Sequence, residues 1–592
     1  MTGPPNSADT AGRATARALR IRWLGRVAYG EALALQRALF AHAADDYLLL
    51  LEHPHTYTLG VRADDAHVLI DPAAVGAELV RVDRGGDVTY HGPGQLVGYP
   101  ILTIADHAAG EMASTRDYVL RLEAAIIDAL TELGVEGASI LEGCPGVWLD
   151  AAGPSPRKIA AIGVKISRGR TMHGFALNVA PDAEMFGHIV PCGIVGKGIT
   201  SLRDEGIDAS MADVVDTVVR HFARRFDGGA TGRSLDSCPL HRPVDRADVV
   251  WRVAPGDADL SAFSRGEGPG SLVRYSSQSR QSDGTSLRLL GRLAEAGVGD
   301  GVPLTETKPD WMRATTRIGD DVLALRSTLR QLDLVTVCEE AGCPNLSECW
   351  ADGTATFMVC GERCTRACGF CLVDTSHPDP LDAGEPGRVA EAVQRMGLEY
   401  AVLTMVARDD LDDGGAAHVA ATIAAIRERC PSTRIEALIS DLGGDADSLD
   451  LVLDAAPDVL NHNIETCARL QRAVRPSASY PRSLAVLARA AERGLVTKSG
   501  FVAGMGETAD EVAQTLADLA SVGVGIVTIG QYLRPTSHHL AVQRWWTPAQ
   551  FAEWKRIGEE FGIAHVESSP LTRSSYHAKS AAAGSISPAT VT

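Results

Sequence analysis

Apolar positions recur at two different periods along this chain, and the change of period predicts its elements. Tyr29 to Ala43 sets Leu33, Leu35, Leu39 and Phe40 at helical spacing. Tyr47-Leu-Leu-Leu-Leu51 is an unbroken apolar run that ends at His53-Pro54, the pattern of a buried strand. Ser114 to Leu133 predicts an amphipathic helix, with Ser114 as N-cap and Gly134 as its stop. Helices and strands therefore mix between Ile21 and about Phe226, which predicts one α+β or α/β unit. From about Gly301 the rhythm is regular. Strand-like runs at Tyr400–Thr404, Arg434–Leu438, Val459–Asn463, Thr497–Phe501 and Ile526–Gly530 alternate with helical stretches such as Gly387–Met396 and Pro481–Arg493. Such βα repetition predicts a parallel sheet or barrel.

Two stretches lack either period. Residues 1–20 are rich in Ala, Thr, Gly and Pro and read as a disordered tail, without the apolar segment of a secretory signal. Residues 228–300 are polar and Gly/Ser-rich, as linkers are, with one short strand possible at Val249–Val253. The organisation expected is thus a tail (1–20), an α+β domain (21–227), a linker (228–300) and an α/β domain (301–592).

Composition narrows the function. With 592 residues the chain has room for up to about four domains at roughly 150 residues each. A net charge of −19 argues against duplex nucleic acid as a partner. No window approaches about 18 consecutive apolar residues, so no membrane span is expected and the cytoplasm is the expected location. The 12 cysteines are unevenly placed, seven of them between Cys338 and Cys371. A disulfide framework belongs to small secreted domains, so dense thiols in a large chain point to metal or catalysis.

Cys364-Thr-Arg-Ala-Cys368-Gly-Phe-Cys371 spaces its thiols as C-x3-C-x2-C. Three thiolates on one short loop can hold three corners of a cubane iron–sulfur cluster and leave one iron open for chemistry. The ferredoxin spacing that supplies four is absent, and so are the paired C-x2-C units of a zinc ribbon. Followed by a βα series, the motif resembles the radical S-adenosylmethionine superfamily. A second triad, Cys338-x4-Cys343-x5-Cys349, lies just upstream. Together with Ala407–Gly415, Asn461–Glu465, Arg475-Pro476, Thr497–Gly500, Gly504–Thr508, Gln531–Pro535 and Arg573–Tyr576, the pair resembles the lipoyl synthases over about Lys308–Lys579. The resemblance implies a partial (β/α) barrel, S-adenosylmethionine and two [4Fe–4S] clusters. Cys364, Cys368 and Cys371 would hold the first, and Cys338, Cys343, Cys349 and Ser575 an auxiliary second one. It also implies hydrogen abstraction at carbons 6 and 8 of a protein-bound octanoyl chain, with two sulfurs taken from the auxiliary cluster. Gly414-Gly415 would lie near the cofactor's amino group or form an ordinary βα turn. Cys360 falls outside the cluster register and reads as a buried thiol acting as a small hydrophobe. Ser440 stands where the family commonly has Pro, with only a local backbone effect expected.

In the first domain, Arg84-Gly-Gly-Asp-Val-Thr-Tyr-His-Gly-Pro-Gly-Gln95 is a turn-rich loop that lets backbone approach a ligand. With Arg157-Lys158-Ile-Ala-Ala-Ile-Gly163, Met172–Asn178 and Val190-Pro-Cys-Gly-Ile194, it resembles the octanoyltransferases over about Ile21–Phe226. Their fold is like that of the biotin/lipoate protein ligases. The resemblance implies Cys192 as a nucleophile that forms an acyl thioester and Lys158 as its activating partner, apt because an adjacent ammonium favours thiolate. It assigns acyl binding to Arg84, Gly85, Gly86, Asp87, Val88, Thr89, Tyr90, His91, Ala161, Ile162, Gly163, Gly174, Phe175 and Ala176. His91 and His173 would orient the thioester carbonyl or serve as core histidines, and Cys144 reads as structural.

The two resemblances imply consecutive steps on one substrate. The expected partners are octanoyl-acyl carrier protein, the lipoyl domains of 2-oxoacid dehydrogenase complexes, the glycine cleavage H protein and an electron donor, with neither nucleic acid nor membrane. Arg157, Lys158, Lys165, Arg168 and Arg170 form a candidate patch for the acidic carrier. The alternative is an ATP-dependent lipoate or biotin ligase beside an iron–sulfur electron-transfer module.

Overall fold

The computed structural model describes residues 18–104, 115–190, 197–226, 244–245, 287–299, 301–303, 306–312, four positions between 329 and 334, 354–576 and 578–585. The chain divides into two compact units, residues 1–26 with 44–252 and residues 27–43 with 253–592.

The first unit is built on a mixed sheet. Its strands are β1 (Leu19–Arg26), β2 (Asp46–Glu52), β3 (Thr56–Leu59), β4 (Glu78–Arg81), β5 (Val88–His91), β6 (Gln95–Ile101), β7 (Ser139–Leu141), β8 (Cys144–Leu149), β9 (Arg157–Ser167), β10 (Arg170–Asn178), β11 (Gly198–Ile199) and β12 (Val244–Asp245). The main sheet runs β12-β1-β2-β6-β10-β9-β8-β7 with β11 on β9, and β4-β3-β5 form a second, smaller sheet. The antiparallel run β8-β9-β10-β6 carries Trp148, Lys158 and Gln95. The helices Thr115–Glu132 and Met211–Phe226 supply Leu122, Ile126, Val218 and Phe222 to a core shared with Leu48, Leu50, Leu96 and Phe175. Fully burying each such side chain stabilises by about 1.5–3 kcal/mol.

The second unit is a parallel sheet of β13 (Thr354–Val359), β14 (Tyr400–Met405), β15 (Arg434–Leu438), β16 (Val459–Asn461), β17 (Val496–Ala503), β18 (Ile526–Gln531) and β19 (His565–Ser568), side by side in chain order. Each neighbouring pair is joined through a helix: Glu385–Met396, Ala416–Arg429, Ala446–Asp454, Tyr480–Glu492, Ala509–Ser521 and Pro548–Glu560. These starts are written locally. Thr508 and Glu511 form a capping box, and Ser479, Asp445 and Thr547 each accept a backbone N–H in the first turn. Alternation along the strands sorts the two faces. Ala401, Leu403, Ile435, Ala437 and Leu460 pack against Val389, Val393, Val419, Ile423 and Val452 of the crossover helices. Tyr400, Val402 and Val459 face the other way and are covered by Ala578 and Ala582 of the helix Ala578–Ser585.

Some boundaries move. β1 begins at Leu19, inside the stretch expected as tail, because Leu19 and Ile21 are both buried against the sheet. The helix Leu287–Glu295 and β12 occupy part of the expected linker, and Val249–Val253 lies outside the described residues. The helix Tyr29–His42 groups with the second unit, where Arg482 Nε donates to Glu31 Oε1 at 2.8 Å. Ser114, the expected N-cap, is also outside the described residues.

Candidate active sites of the two units

In the first unit the glycine-rich loop is fixed by a buried arginine. Arg84 Nη2 donates to the carbonyl and the hydroxyl of Thr58 at 2.7 and 2.8 Å, while Gly85 N–H donates to Val164 O at 3.0 Å. Gly163 permits this approach, since a Cβ there would stand 3.0 Å from both Arg84 Cδ and Gly85 O. The loop then enters β5, where Thr89 and Tyr90 precede His91. His91 Nδ1 pairs with Gln95 Oε1 at 2.8 Å, and Gln95 Nε2 donates to Asn178 Oδ1 at 2.9 Å. Burial, reinforced by His53 nearby, pulls the His91 pKa down to about 3, so the ring is neutral at physiological pH. His173 is buried with Nε2 on Asp83 Oδ1 at 2.8 Å. Burial lowers its pKa, and it reads as a core histidine. Asp83 is held down at about 2: burial opposes this, and hydrogen bonds from Lys165 and His173 prevail.

Lys158 enters a cleft from β9. Thr89, Ala161, Trp148, Phe186 and Lys197 share the cleft wall with it. Lys158 Nζ lies 4.7 Å from the centroid of the Trp148 ring and donates to Pro145 O at 3.3 Å. Lys197 Nζ is 5.2 Å from the same ring and 3.2 Å from Cys144 Sγ. One indole thus faces two ammonium groups, a cation–π arrangement. The structure brings Thr89, Lys158 and Ala161 together at this cleft. Gly174, Phe175 and Ala176 are buried in β10, paired with Gly163, Ile162 and Ala161. Arg84, Gly85, Gly86 and Asp87 lie in the loop before β5, and Val88 opens that strand. Cys192 lies outside the described residues, between Val190 and Lys197. Sequence reasoning passed over Trp148 and Lys197. The signal for Trp148 was its place in Gly146-Val-Trp-Leu149, a strand-like run that pairs directly with Lys158 across β8 and β9. The expected basic patch is largely spent: Arg157 pairs with Glu205, Lys165 with Asp83, and Lys158 is buried.

In the second unit the chemistry sits beyond strand ends. Cys360 closes β13, fully buried with its thiol 3.8 Å from Gly415 O, and burial pushes its pKa up to about 12. That is the small hydrophobe expected. The loop after it carries Cys364, Cys368 and Cys371, all free and half-buried. One backbone bond closes the loop on itself, Cys364 N to Asp374 O (2.8 Å), and two tie it to distant chain, Thr365 N to Ala407 O (3.0 Å) and Gly369 N to Val474 O (2.8 Å). Arg366 anchors its interior, with Nη2 2.6 Å from both Asp409 Oδ1 and Asp441 Oδ1. Its own N–H points to Cys364 Sγ at 3.4 Å. Burial and then the neighbouring thiols push the Cys371 pKa up to about 12. Among the described residues no three His, Cys, Asp or Glu side chains gather at a single-ion point. The donor set nevertheless fits an iron–sulfur cluster: three free thiols on one anchored loop, with Cys368 and Cys364 near enough to raise the pKa of Cys371, and a backbone N–H already directed at a sulfur.

Gly414-Gly415 follows β14 and starts the helix Ala416–Arg429, with Gly415 as N-cap. Arg475 donates to the carbonyls of Asn463 and Ile464 at 3.2 and 3.1 Å, so two of the recognised motifs meet there. Ser440 accepts from Leu442 N–H, a local backbone effect. Ser575 lies in a turn closed by Tyr576 N–H to Arg573 O at 2.9 Å. Cys338, Cys343 and Cys349 lie outside the described residues.

A parallel βα sheet with a three-cysteine loop past its first strand, joined to a mixed-sheet unit with a lysine-lined cleft, defines a radical S-adenosylmethionine enzyme fused to a lipoyl ligase/transferase-type domain. The corresponding family models match: the lipoyl protein ligase A/B catalytic domain over residues 28–223 and the radical SAM superfamily over residues 358–519. The lipoyl synthase of Rubrobacter xylanophilus is 54% identical over 273 residues, covering 46% of this chain and 85% of that protein. That of Mycolicibacterium paratuberculosis is 50% identical over 292 residues, covering 49% and 93%. The chain belongs to the lipoyl synthase family. Among solved structures, a bi-partite lipoate protein ligase from Thermoplasma acidophilum, described with its E2 lipoyl domain, is 14% identical with a TM-score of 0.30, covering 44% of this chain and 99% of that one. The chain therefore carries two catalytic modules of lipoate biosynthesis, and the second implies a [4Fe–4S] cluster and S-adenosylmethionine. Among the described residues no helix is long and apolar enough to cross a membrane.

Proposed function

We propose that the first unit transfers octanoyl from octanoyl-acyl carrier protein to a lysine of lipoyl domains, and that the second inserts sulfur at carbons 6 and 8 of the same chain. The observation that carries the reading is the pairing in one sequence of the Lys158 cleft with the Cys364–Cys371 loop. Both modules act on one protein-bound acyl group, so fusion raises the effective concentration of the second site for the product of the first.

In the first unit, the Cys192 thiolate attacks the carrier's thioester carbonyl, giving an acyl-enzyme and releasing the carrier thiol. The lipoyl domain's lysine amine then attacks, and the Cys192 thiol leaves. Lys158 stabilises the thiolate by its charge and relays the proton of the attacking amine. Trp148 and the Pro145 carbonyl hold its ammonium at the cleft wall. The Gln95–Asn178–His91 group stays neutral and backs the wall without adding charge.

In the second unit, Cys364, Cys368 and Cys371 would hold one [4Fe–4S] cluster, and Cys338, Cys343, Cys349 and Ser575 a second. When bound, these groups with S-adenosylmethionine supply one-electron hydrogen abstraction and sulfur. Arg366, clasped by Asp409 and Asp441, fixes the first loop's path. Partners on this reading are the acyl carrier protein, lipoyl domains including the glycine cleavage H protein, and an electron donor.

The test is anaerobic reconstitution of the full chain with octanoyl carrier protein, an apo lipoyl domain, S-adenosylmethionine and reductant, followed by intact mass of the lipoyl domain. Octanoyl and then dithiolane mass increments are expected. Transfer by Cys192→Ser at the parent rate, or dependence on ATP and free acid, would replace the transferase with a ligase. Failure to cleave S-adenosylmethionine would leave the second unit an electron carrier.

A further inference from the structure

The helix Thr115–Glu132 sends a carboxylate into the interior of the first unit. Glu123 is 5% exposed and follows Leu122, a core residue. Glutamate is almost never buried to that degree without a partner. Its Oε1 accepts the Gly146 N–H at 2.8 Å. That N–H belongs to the same peptide unit as the Pro145 carbonyl, and the carbonyl accepts from Lys158 Nζ at 3.3 Å. One peptide group is thus held at both ends, by a buried carboxylate on its donor side and by an ammonium on its acceptor side.

The polarity of this chain is fixed. A carboxylate accepts, a peptide donates through N–H and accepts through C=O, and an ammonium only donates. Negative charge at the N–H pushes electron density toward the carbonyl oxygen, and hydrogen bonds joined in series strengthen one another. Glu123 therefore acts on Lys158 without touching it. Burial raises the Glu123 pKa, and the Gly146 N–H and the charge of Lys158 oppose that rise.

The local backbone serves the same end. Gly146 has a φ of +129°, and a Cβ there would stand 2.4 Å from Ala160 O and 3.5 Å from Lys158 Cε, so only glycine lets this peptide lie against β9. The β8–β9 pairing slips by one residue at this point: Val147 faces Ala160, whereas Trp148 faces Lys158. Such a bulge re-aims a side chain. Trp148 is itself tied back, its Nε1 donating to Cys144 O at 2.9 Å. Residues 144–148 form a seat for the ammonium, and Glu123 pins that seat from the helix side.

We propose that Glu123 is a positioning residue for acyl transfer: through the Pro145–Gly146 peptide, its carboxylate holds the Lys158 ammonium at the cleft wall. The inference rests on the reading of Lys158 as the group that assists transfer. It sets a buried anion behind a cleft whose charged lining groups, among the described residues, are the two cations Lys158 and Lys197.

The test uses the full chain and two readouts. The first is pulsed reductive methylation with formaldehyde and cyanoborohydride, followed by peptide mass spectrometry, which measures how firmly the Lys158 amine is held. Lys165, on the same strand and paired with Asp83, is the internal reference for an intact sheet. The second is the kinetics of octanoyl transfer from octanoyl carrier protein to an apo lipoyl domain. Glu123→Gln keeps the shape and an acceptor for Gly146 but removes the charge. It should raise Lys158 labelling and lower kcat by about tenfold each, the scale of a charge-assisted bond made neutral, with KM for the carrier and Lys165 labelling unchanged. In a Lys158→Ala background Glu123→Gln should cost nothing further, because a residue that acts through Lys158 has nothing left to act on. Parent-like labelling and kcat in Glu123→Gln overturn the proposal, as does an equal rise at Lys165 or the same loss in the Lys158→Ala background. Transfer by Lys158→Ala at the parent rate overturns the reading of Lys158 instead, and labelling then decides alone whether Glu123 holds the amine.

Discussion

The two units present their chemistry in opposite ways. In the first, the side chains described at the cleft stand on strands: Lys158 on β9 and Trp148 on β8, aimed by the antiparallel pairing itself. In the second, strands end where function begins, and the cysteines ride a loop past β13 that is tied down by bonds to residues following other strands. A side chain on an antiparallel strand is placed by register, so one flanking pair suffices to aim it. A loop beyond a parallel sheet is placed only by what it touches, hence Arg366 and its two aspartates. The first arrangement suits a small cleft with two or three groups, and the second suits a cluster that must be wrapped.

That contrast can be broken by separating the activities. Cys364→Ala should abolish sulfur insertion in the reconstituted chain while octanoyl transfer, followed by intact mass, stays at the parent rate; a parallel loss of transfer would mean the units are not independent. Lys158→Ala should slow octanoyl transfer by about 10²–10⁴-fold, the range of a lost acid–base group, and leave sulfur insertion into a pre-octanoylated lipoyl domain untouched. Trp148→Leu sharpens the strand-placement idea. It removes the ring beneath Lys158 and should cost about tenfold in transfer, with Trp148→Phe losing less. An equal loss in both would show that volume rather than the aromatic face matters.

The last expectation concerns stability against pH rather than rate. His91 is depressed to about 3 and His462 to about 4, both first by burial. Each binds its proton more readily when unfolded. Their contributions are therefore complete above about 6.5 and fall as pH drops toward the folded values, at up to about 1.4 kcal/mol per pH unit per group. The His91 window is wider by about one unit, so acid should weaken the first unit further than this group weakens the second. His91→Gln should flatten the first unit's unfolding profile between pH 6.5 and 3, read by denaturant titration at stepped pH.

Much of this was legible in the sequence because periodicity and spacing are local. The apolar run Tyr47–Leu51 became β2, and the helix read at Pro481–Arg493 formed as Tyr480–Glu492, with Ser479 as its cap. The C-x3-C-x2-C spacing lies on one loop and needed no tertiary knowledge. What stayed hidden is pairing across distance. Trp148 meets Lys158 only because β8 and β9 are neighbours, and Lys498 meets Glu436 only because β15 and β17 flank β16. A lone buried lysine in Thr497-Lys-Ser-Gly500 carries no sign of the carboxylate that will receive it. The paired state of Arg157 and Lys165 was equally unreadable, since Glu205 and Asp83 are far along the chain.

Gly530 makes room for the segment beyond the last strand. A Cβ there would collide with the carbonyl oxygen of Thr572, so the approach to the Arg573–Tyr576 turn can lie across the end of β18 only over a glycine. That geometry has a consequence in time. Domains tend to fold as they emerge, amino-terminal parts first. A ribosome that has delivered β19 has delivered all seven strands of the sheet but not Ser574 or Ser575. The helix Ala578–Ser585, which covers Tyr400, Val402 and Val459, comes later still, so one face of the sheet waits for the last described residues to arrive.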